Sequence, residues 1–127
     1  MTLREELVHL FEDDEVLGSK KSALRGRVNL KVKDNMSVPF IQVRYDSFDG
    51  EDGSLSVVVE LYSGVTTQDN PDKYLDEFLA RILDIITYDS KKGIVTSGGA
   101  FRERTIKRGG KAYDGFDLTV ESTDRAI

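Results

Sequence analysis

The residues best suited to chemistry in this chain are charged, and they are segregated along it. Arg102, Arg104, Lys107, Arg108 and Lys111 make one concentrated basic stretch, while Asp49, Glu51 and Asp52 sit in an acidic, glycine-bearing one. In a strand, Arg102 and Arg104 share a face and their charges lie side by side. Such a patch is commonly a solvated sheet face. Two functional readings go beyond that. The patch can meet nucleic-acid phosphates, or it can meet acidic segments such as Glu12–Glu15 or Asp49–Asp52 on a neighbouring copy. The second reading uses charges that the chain itself supplies. Contacts between surfaces of opposite sign are consistent with head-to-tail subunit contacts, which close into rings.

Other candidates for chemistry are thinner. His9 is the single imidazole, placed between Val8 and Leu10 with no triad or nucleophile-elbow context around it. It reads as a surface or half-buried histidine. The acids Glu12–Glu15 and Asp46–Asp52 could attract a hard cation, but neither stretch has the register and closing glutamate of a calcium loop, so both read as solvated turns. Gly98-Gly99 and Gly109-Gly110 lack the Lys-Ser/Thr that holds phosphate and Mg²⁺ in a P-loop. No general acid–base pair stands out. The expectation is a protein that is not an enzyme, with no cofactor and no metal.

Composition points the same way. The chain has 127 residues, the size of one ordinary domain, so a single unit over 1–127 with a loose tail at 122–127 is expected. There is no cysteine, which excludes disulfides and thiolate metal sites. The formal charge of -5 argues against a dedicated nucleic-acid binder and implies some repulsion between copies at low salt. No apolar run approaches the roughly 20 residues that span a bilayer, so no membrane partner is expected. The first residues, Met1 to Glu6, lack the basic flank and apolar block of a signal peptide, so synthesis in the cytoplasm is expected.

The elements that must position these charges follow from periodicity. Thr2 and Glu5 have capping-box spacing, and Leu3, Leu7, Leu10 and Phe11 then fall on one helical face with Val8 beside them. Four acids at 12–15 oppose the helix dipole and Gly18 offers a stop. Ser19 to Arg25 reads as a loop. Arg27 to Lys33 alternates as a half-buried strand, and residues 34–37 read as a turn. Pro39 opens a second strand in which Ile41, Val43 and Tyr45 alternate with Gln42 and Arg44. Asp46 to Ser54 is then expected as a long hairpin loop. Leu55 to Tyr62 is apolar on both sides, which marks a central strand covered on both faces. After a loop over Gly64–Asp69, Asn70 and Pro71 start a second helix. Tyr74, Leu75, Phe78, Leu79, Ile82, Leu83 and Ile86 give it a continuous stripe. Thr87 to Gly93 should end it. Ile94-Val95 suggests a short strand broken by Gly98-Gly99. Arg108-Gly109-Gly110 suggests the turn of a hairpin between Phe101–Lys107 and Ala112–Glu121. The order α-β-β-β-α-β-β, without βαβ alternation, implies an α+β fold: a mainly antiparallel sheet with two helices packed on it.

In this layout the chain resembles the tail terminator, or tail-completion, proteins of long-tailed bacteriophages. The similarity runs through Leu3-Arg4-Glu5-Glu6-Leu7-Val8-His9-Leu10-Phe11 and the acidic Asp13-Asp14-Glu15-Val16-Leu17. It continues in Gly26-Arg27-Val28 and the proline-opened Val38-Pro39-Phe40-Ile41-Gln42-Val43. Val59-Glu60-Leu61-Tyr62-Ser63, the helix over Tyr74–Ile86 and the closing Gly115-Phe116-Asp117-Leu118-Thr119-Val120-Glu121 complete it. The segment Asn29–Lys33, where a more proline-rich stretch would be expected, and the Gly98-Gly99 segment depart from the pattern. The resemblance implies a virion protein forming a homo-oligomeric ring, a hexamer. Such a ring caps the last ring of the tail tube and docks the head connector. Its partners are further copies, the tail-tube protein and the connector. DNA passes through without being specifically bound, which a neutral or acidic lumen favours. Another head–tail connector or tail-tube-related protein of the same particle, or a generic protein-binding adaptor, is the alternative. From charge, the subunit contact is expected to use Asp49, Glu51 and Asp52 on one side and Arg102, Arg104, Lys107 and Arg108 on the other.

Overall fold

The computed structural model describes residues 2–19, 22, 24, 27–29, 37–48, 50–51, 53, 55–65, 72–89 and 94–122, with backbone alone at 29, 72–74, 88–89, 94–100 and 122. Helix α1 spans Leu3–Asp13 and is capped by Thr2, whose hydroxyl accepts from the Glu5 amide at 3.1 Å. The Glu5 carboxylate accepts the threonine hydroxyl at 3.1 Å, so the capping box closes side chain to side chain. The helix ends inside the acidic run, as like charges at a C-terminus demand. Leu3, Leu7, Val8 and Phe11 are buried, with Leu10 packed partly against them, as the spacing implies.

Strand β1, described at Val28–Asn29, runs parallel to β2, Phe40–Phe48. The Ile41 amide donates to the Arg27 carbonyl and the Arg27 guanidinium to the Val38 carbonyl, which ties the two segments together. The rest of the strand expected over Arg27–Lys33, most of the turn after it and much of the Ser19–Arg25 loop lie outside the described residues. So do the Asn70–Pro71 helix start and the tail beyond Ser122. Strand β3 is Leu55–Val65 and is buried along all but its last residue. It is a central strand, flanked by β2 and by β5, Lys111–Ser122.

Helix α2 spans Asp72–Asp84 and runs on as a π-helical turn through Asp89, ending within the expected Thr87–Gly93 stretch. Leu75, Phe78, Ile82, Ile85 and Ile86 are buried in one cluster with α1 and with Ile41, Val43, Val57, Val59, Leu61, Phe116, Leu118 and Val120. Both helices therefore pack on one face of the sheet, whose order is β1-β2-β3-β5-β4. The fold is α+β, and every strand pair except β1–β2 is antiparallel.

Three expectations need correction. Asp46–Phe48 is strand, not loop: β2 continues past a bulge between Tyr45 and Ser47. Gly64 and Val65 likewise belong to β3. Gly98-Gly99 does not break the chain into two strands. Strand β4 runs from Ile94 to Arg108, and its register against β5 jumps between Thr96 and Phe101, which absorbs the extra residues as a bulge. At the β4–β5 turn Gly109 and Gly110 take φ of 56° and 77°, a conformation that side chains with a Cβ resist.

Candidate functional site

Alternation gives the sheet a second face, away from the helices. The registers align Gln42 with Glu60, Glu60 with Asp117 and Asp117 with Arg102, a polar row across β2, β3, β5 and β4. On one side of this row, Phe40, Tyr62, Tyr113 and Ile106 form a small apolar cluster. Phe40 stacks on Tyr62 with ring centroids 4.4 Å apart, and Tyr113 meets both rings edge-on. Burial pushes the Tyr62 hydroxyl up to about 12, with the Glu60 charge adding to it, so the phenol stays protonated.

The charges lie in the row itself and on the strand positions next to it. Glu60 is buried, with 5% of its side-chain surface exposed. The Arg44 guanidinium donates Nε–H to its Oε1 at 2.7 Å, and Arg104 Nη2 lies 3.9 Å from its Oε2. The same Arg104 nitrogen is 2.6 Å from Asp117 Oδ2. Two carboxylates paired directly across β3 and β5 thus share Arg104, which reaches in from β4, while Arg44 reaches Glu60 from β2. Burial raises the Glu60 carboxyl above its ordinary value and the Asp117 charge adds to that, while Arg44 and Arg104 only partly offset the rise. Gln42 Oε1 and Asp117 Oδ1 are buried with no hydrogen-bond partner among the described residues.

Above this network is a cavity of about 270 Å³. Its walls carry Arg44 and Asp46 from β2, Arg102 and Arg104 from β4, and Asp117 from β5, over Val58 and Thr119. The lining is almost entirely polar and charged, unlike the apolar clefts that hold most small substrates. Glu60 lies beneath the arginines and has its oxygens engaged, so it is poorly placed to act on a substrate as acid or base. His9 is exposed on α1, which packs on the opposite face of the sheet. No group of three or more His, Asp or Glu among the described residues lies close enough together to hold a metal ion. No described helix is long and apolar enough to cross a membrane.

The charged residues singled out in the sequence separate accordingly. Arg102 and Arg104 do share a face and together form one wall of the cavity. Arg104 is committed internally, whereas Arg102 is exposed and has no ion pair or hydrogen bond among the described residues. Lys107 is exposed on the alternate face of β4, and Arg108 is half-buried beside the hairpin turn. Glu51 is exposed in the β2–β3 turn, while Asp49 and Asp52 lie outside the described residues. Asp14 is no solvated turn residue: its carboxylate is paired with Arg81 on α2 and keeps 4% of its side-chain surface exposed. Arg44, Glu60 and Asp117 are the members that sequence reasoning passed over. One signal for them exists, a lone glutamate inside the apolar run Val57-Val58-Val59-Glu60-Leu61-Tyr62. A buried acid needs a cation, and only the register says which.

Because its folded pKa is raised, Glu60 makes stability fall as pH rises. In the unfolded chain the carboxyl ionises near 4.5; the folded state holds its proton to higher pH, so between the two values each step upward favours unfolding. Glu60→Gln should abolish that slope. Melting temperatures measured from pH 4 to 8 should converge on, or cross, those of the variant as pH rises. Parallel curves would show that ionised Glu60 is fully compensated by its arginines.

Compared with known protein families and with characterised proteins, the chain matches no family model and no individual sequence.

Proposed function

We propose that this protein is a structural virion component that assembles with copies of itself into a ring, in the manner of phage tail terminators. It would cap the tail tube and present a docking surface to the head connector. The resemblance of its motifs supplies the biological context, and the α+β fold with its order of elements is compatible with it. The observation that carries the assembly reading is the separation of charge on the sheet. Arg102 and Lys107 are exposed on the two faces of β4, the last strand in the sheet order, with no described partner, while Glu51 is exposed in the β2–β3 turn, with β5 lying between β3 and β4. Patches of opposite sign at different places on one body pair head to tail, and a rotation between successive copies closes the ring. The ring needs no cofactor, and with a net charge of -5 the chain is suited to letting DNA pass rather than holding it.

The test is the oligomeric state of the double variant Arg102→Glu, Lys107→Glu, read by native mass spectrometry and light scattering at low and high salt. Neither side chain has a described internal partner, so the fold should persist by circular dichroism while the oligomer dissociates. Arg104 is unsuitable for this purpose, because its reversal would strip Asp117 of its counter-charge and set another carboxylate beside Glu60. An unchanged oligomer would remove the charge contact but leave the ring. A wild-type chain that stays monomeric at high concentration, with and without tail-tube rings, would remove the ring itself.

A further inference from the structure

We propose that the cavity over Val58 and Thr119 is an oxyanion seat, in which Arg102, with Arg44 and Arg104, receives one carboxylate or phosphate-type group.

The argument rests on what each guanidinium has left to offer. Arg44 spends Nε on Glu60 and Nη1 on the Tyr45 carbonyl at 3.5 Å, which leaves Nη2. Arg104 spends Nη2 on Asp117 and Glu60, which leaves Nε and Nη1. Arg102 has no described partner at all. Buried Glu60 and half-buried Asp117 fix the orientation of Arg44 and Arg104, so less side-chain freedom is lost when a ligand arrives. Three guanidiniums face Asp46 and Asp117 in the lining and Glu60 beneath it. Glu60 is paired with Arg44 and Asp117 with Arg104, so Arg102 is the one of the three guanidiniums with no described ion pair, and Asp46 is the acid that would compete with a ligand for it. Guanidinium forks match planar carboxylates and tetrahedral oxyanions by two parallel N–H···O bonds. The cavity, about 270 Å³, holds such a group with accompanying water. A free ion and an acidic side chain of a neighbouring copy would use the same donors, so the seat does not depend on ring formation.

The experiment titrates the ¹⁵N-labelled full chain with sodium sulfate and, separately, sodium acetate, with ionic strength held constant by sodium chloride. Saturable shifts are expected at residues 44, 58, 102, 104 and 119. Saturation by sulfate alone marks a phosphate-type source; saturation by acetate marks a carboxylate source. Arg102→Ala should weaken binding about tenfold or more. Asp46→Asn, which removes a like charge from the lining, should tighten it, a gain that a purely structural role for this cluster does not produce. Shifts that fail to saturate with either anion, or that scatter over remote basic residues such as Lys111, would overturn the assignment. So would affinities unmoved by both substitutions.

Discussion

Gly115→Ala is expected to destabilise the protein by about 3 kcal/mol or more, a large share of the net stability of an ordinary domain. Gly115 lies in β5 opposite Tyr62, where β3 carries a bulge between Tyr62 and Gly64. The Ser63 hydroxyl donates to the Asp114 carbonyl at 2.7 Å across that bulge, drawing the two strands together. A Cβ on Gly115 would stand 1.8 Å from the Leu61 carbonyl oxygen and 2.9 Å from its carbon. Both are backbone atoms of the central strand, so no side-chain rotation relieves the clash. The strands must part or shift register, and a shift exchanges the two faces of β5. Gly115 also pairs with Arg104, so the same displacement pulls one wall from the cavity. Gly50→Ala is the matched control: nothing lies within 4 Å of its added Cβ, and the lost freedom of the unfolded chain should leave stability unchanged or raised by a few tenths of a kcal/mol. Urea unfolding should separate the two, with a midpoint lowered for Gly115→Ala at unchanged slope. A wild-type midpoint for Gly115→Ala would mean that β3 and β5 separate at that point without cost.

The parts of this molecule legible in its sequence are those set by local period. Leu75, Phe78, Ile82 and Ile86 announce α2 because a helix can bury that stripe in only one way. Thr2 announces the start of α1 because the capping geometry is local. Leu55–Tyr62 reads as a central strand because an apolar residue on both faces has nowhere else to go. Features that depend on what lies opposite were hidden. Gly98-Gly99 looks like a breaker until β5 supplies a partner strand that carries the chain past it as a bulge. Gln42, Glu60, Asp117 and Arg102 come from four separate strands, and only the two-residue alternation combined with register puts them in one row. The basic stretch was visible as charge, but its division of labour was not. Arg104 serves the Glu60 and Asp117 carboxylates and Arg102 does not, although both stand on the same face two residues apart.

Asp14→Ala should cost about 2–3 kcal/mol and should remove part of the acid sensitivity of the fold. Asp14 terminates α1, and its carboxylate does three things at once. It is the partner of Arg81 on α2, and its Oδ2 accepts from the Val16 amide at 3.0 Å and from the Leu17 amide at 2.9 Å. The two amides fold the turn that carries Leu17 into the core, where it is fully buried. Burial by itself would raise the Asp14 carboxyl, but the Arg81 hydrogen bonds, the two amides and the guanidinium charge outweigh it and hold the pKa below 3.8. A carboxyl lowered in the folded state adds stability above its unfolded pKa and loses it as pH falls through the folded value. The contribution is therefore complete at neutral pH and disappears only below about pH 4. Arg81 keeps a third of its side-chain surface exposed and can rehydrate when its partner goes, which holds the loss under the 3–5 kcal/mol typical of a fully buried pair. Asp14→Asn should fall between wild type and alanine, since the amide oxygen can still accept from Val16 and Leu17. A double-mutant cycle with Arg81→Ala should return a coupling well above the few tenths of a kcal/mol expected of independent sites. This latch joins the two helices on the covered face of the sheet, whereas Arg102 and its cavity belong to the other face. Anion affinity and oligomeric state, measured well below the lowered melting temperature of Asp14→Ala, should therefore match wild type. A loss of either would mean that the helix layer sets the shape of the sheet face it does not touch.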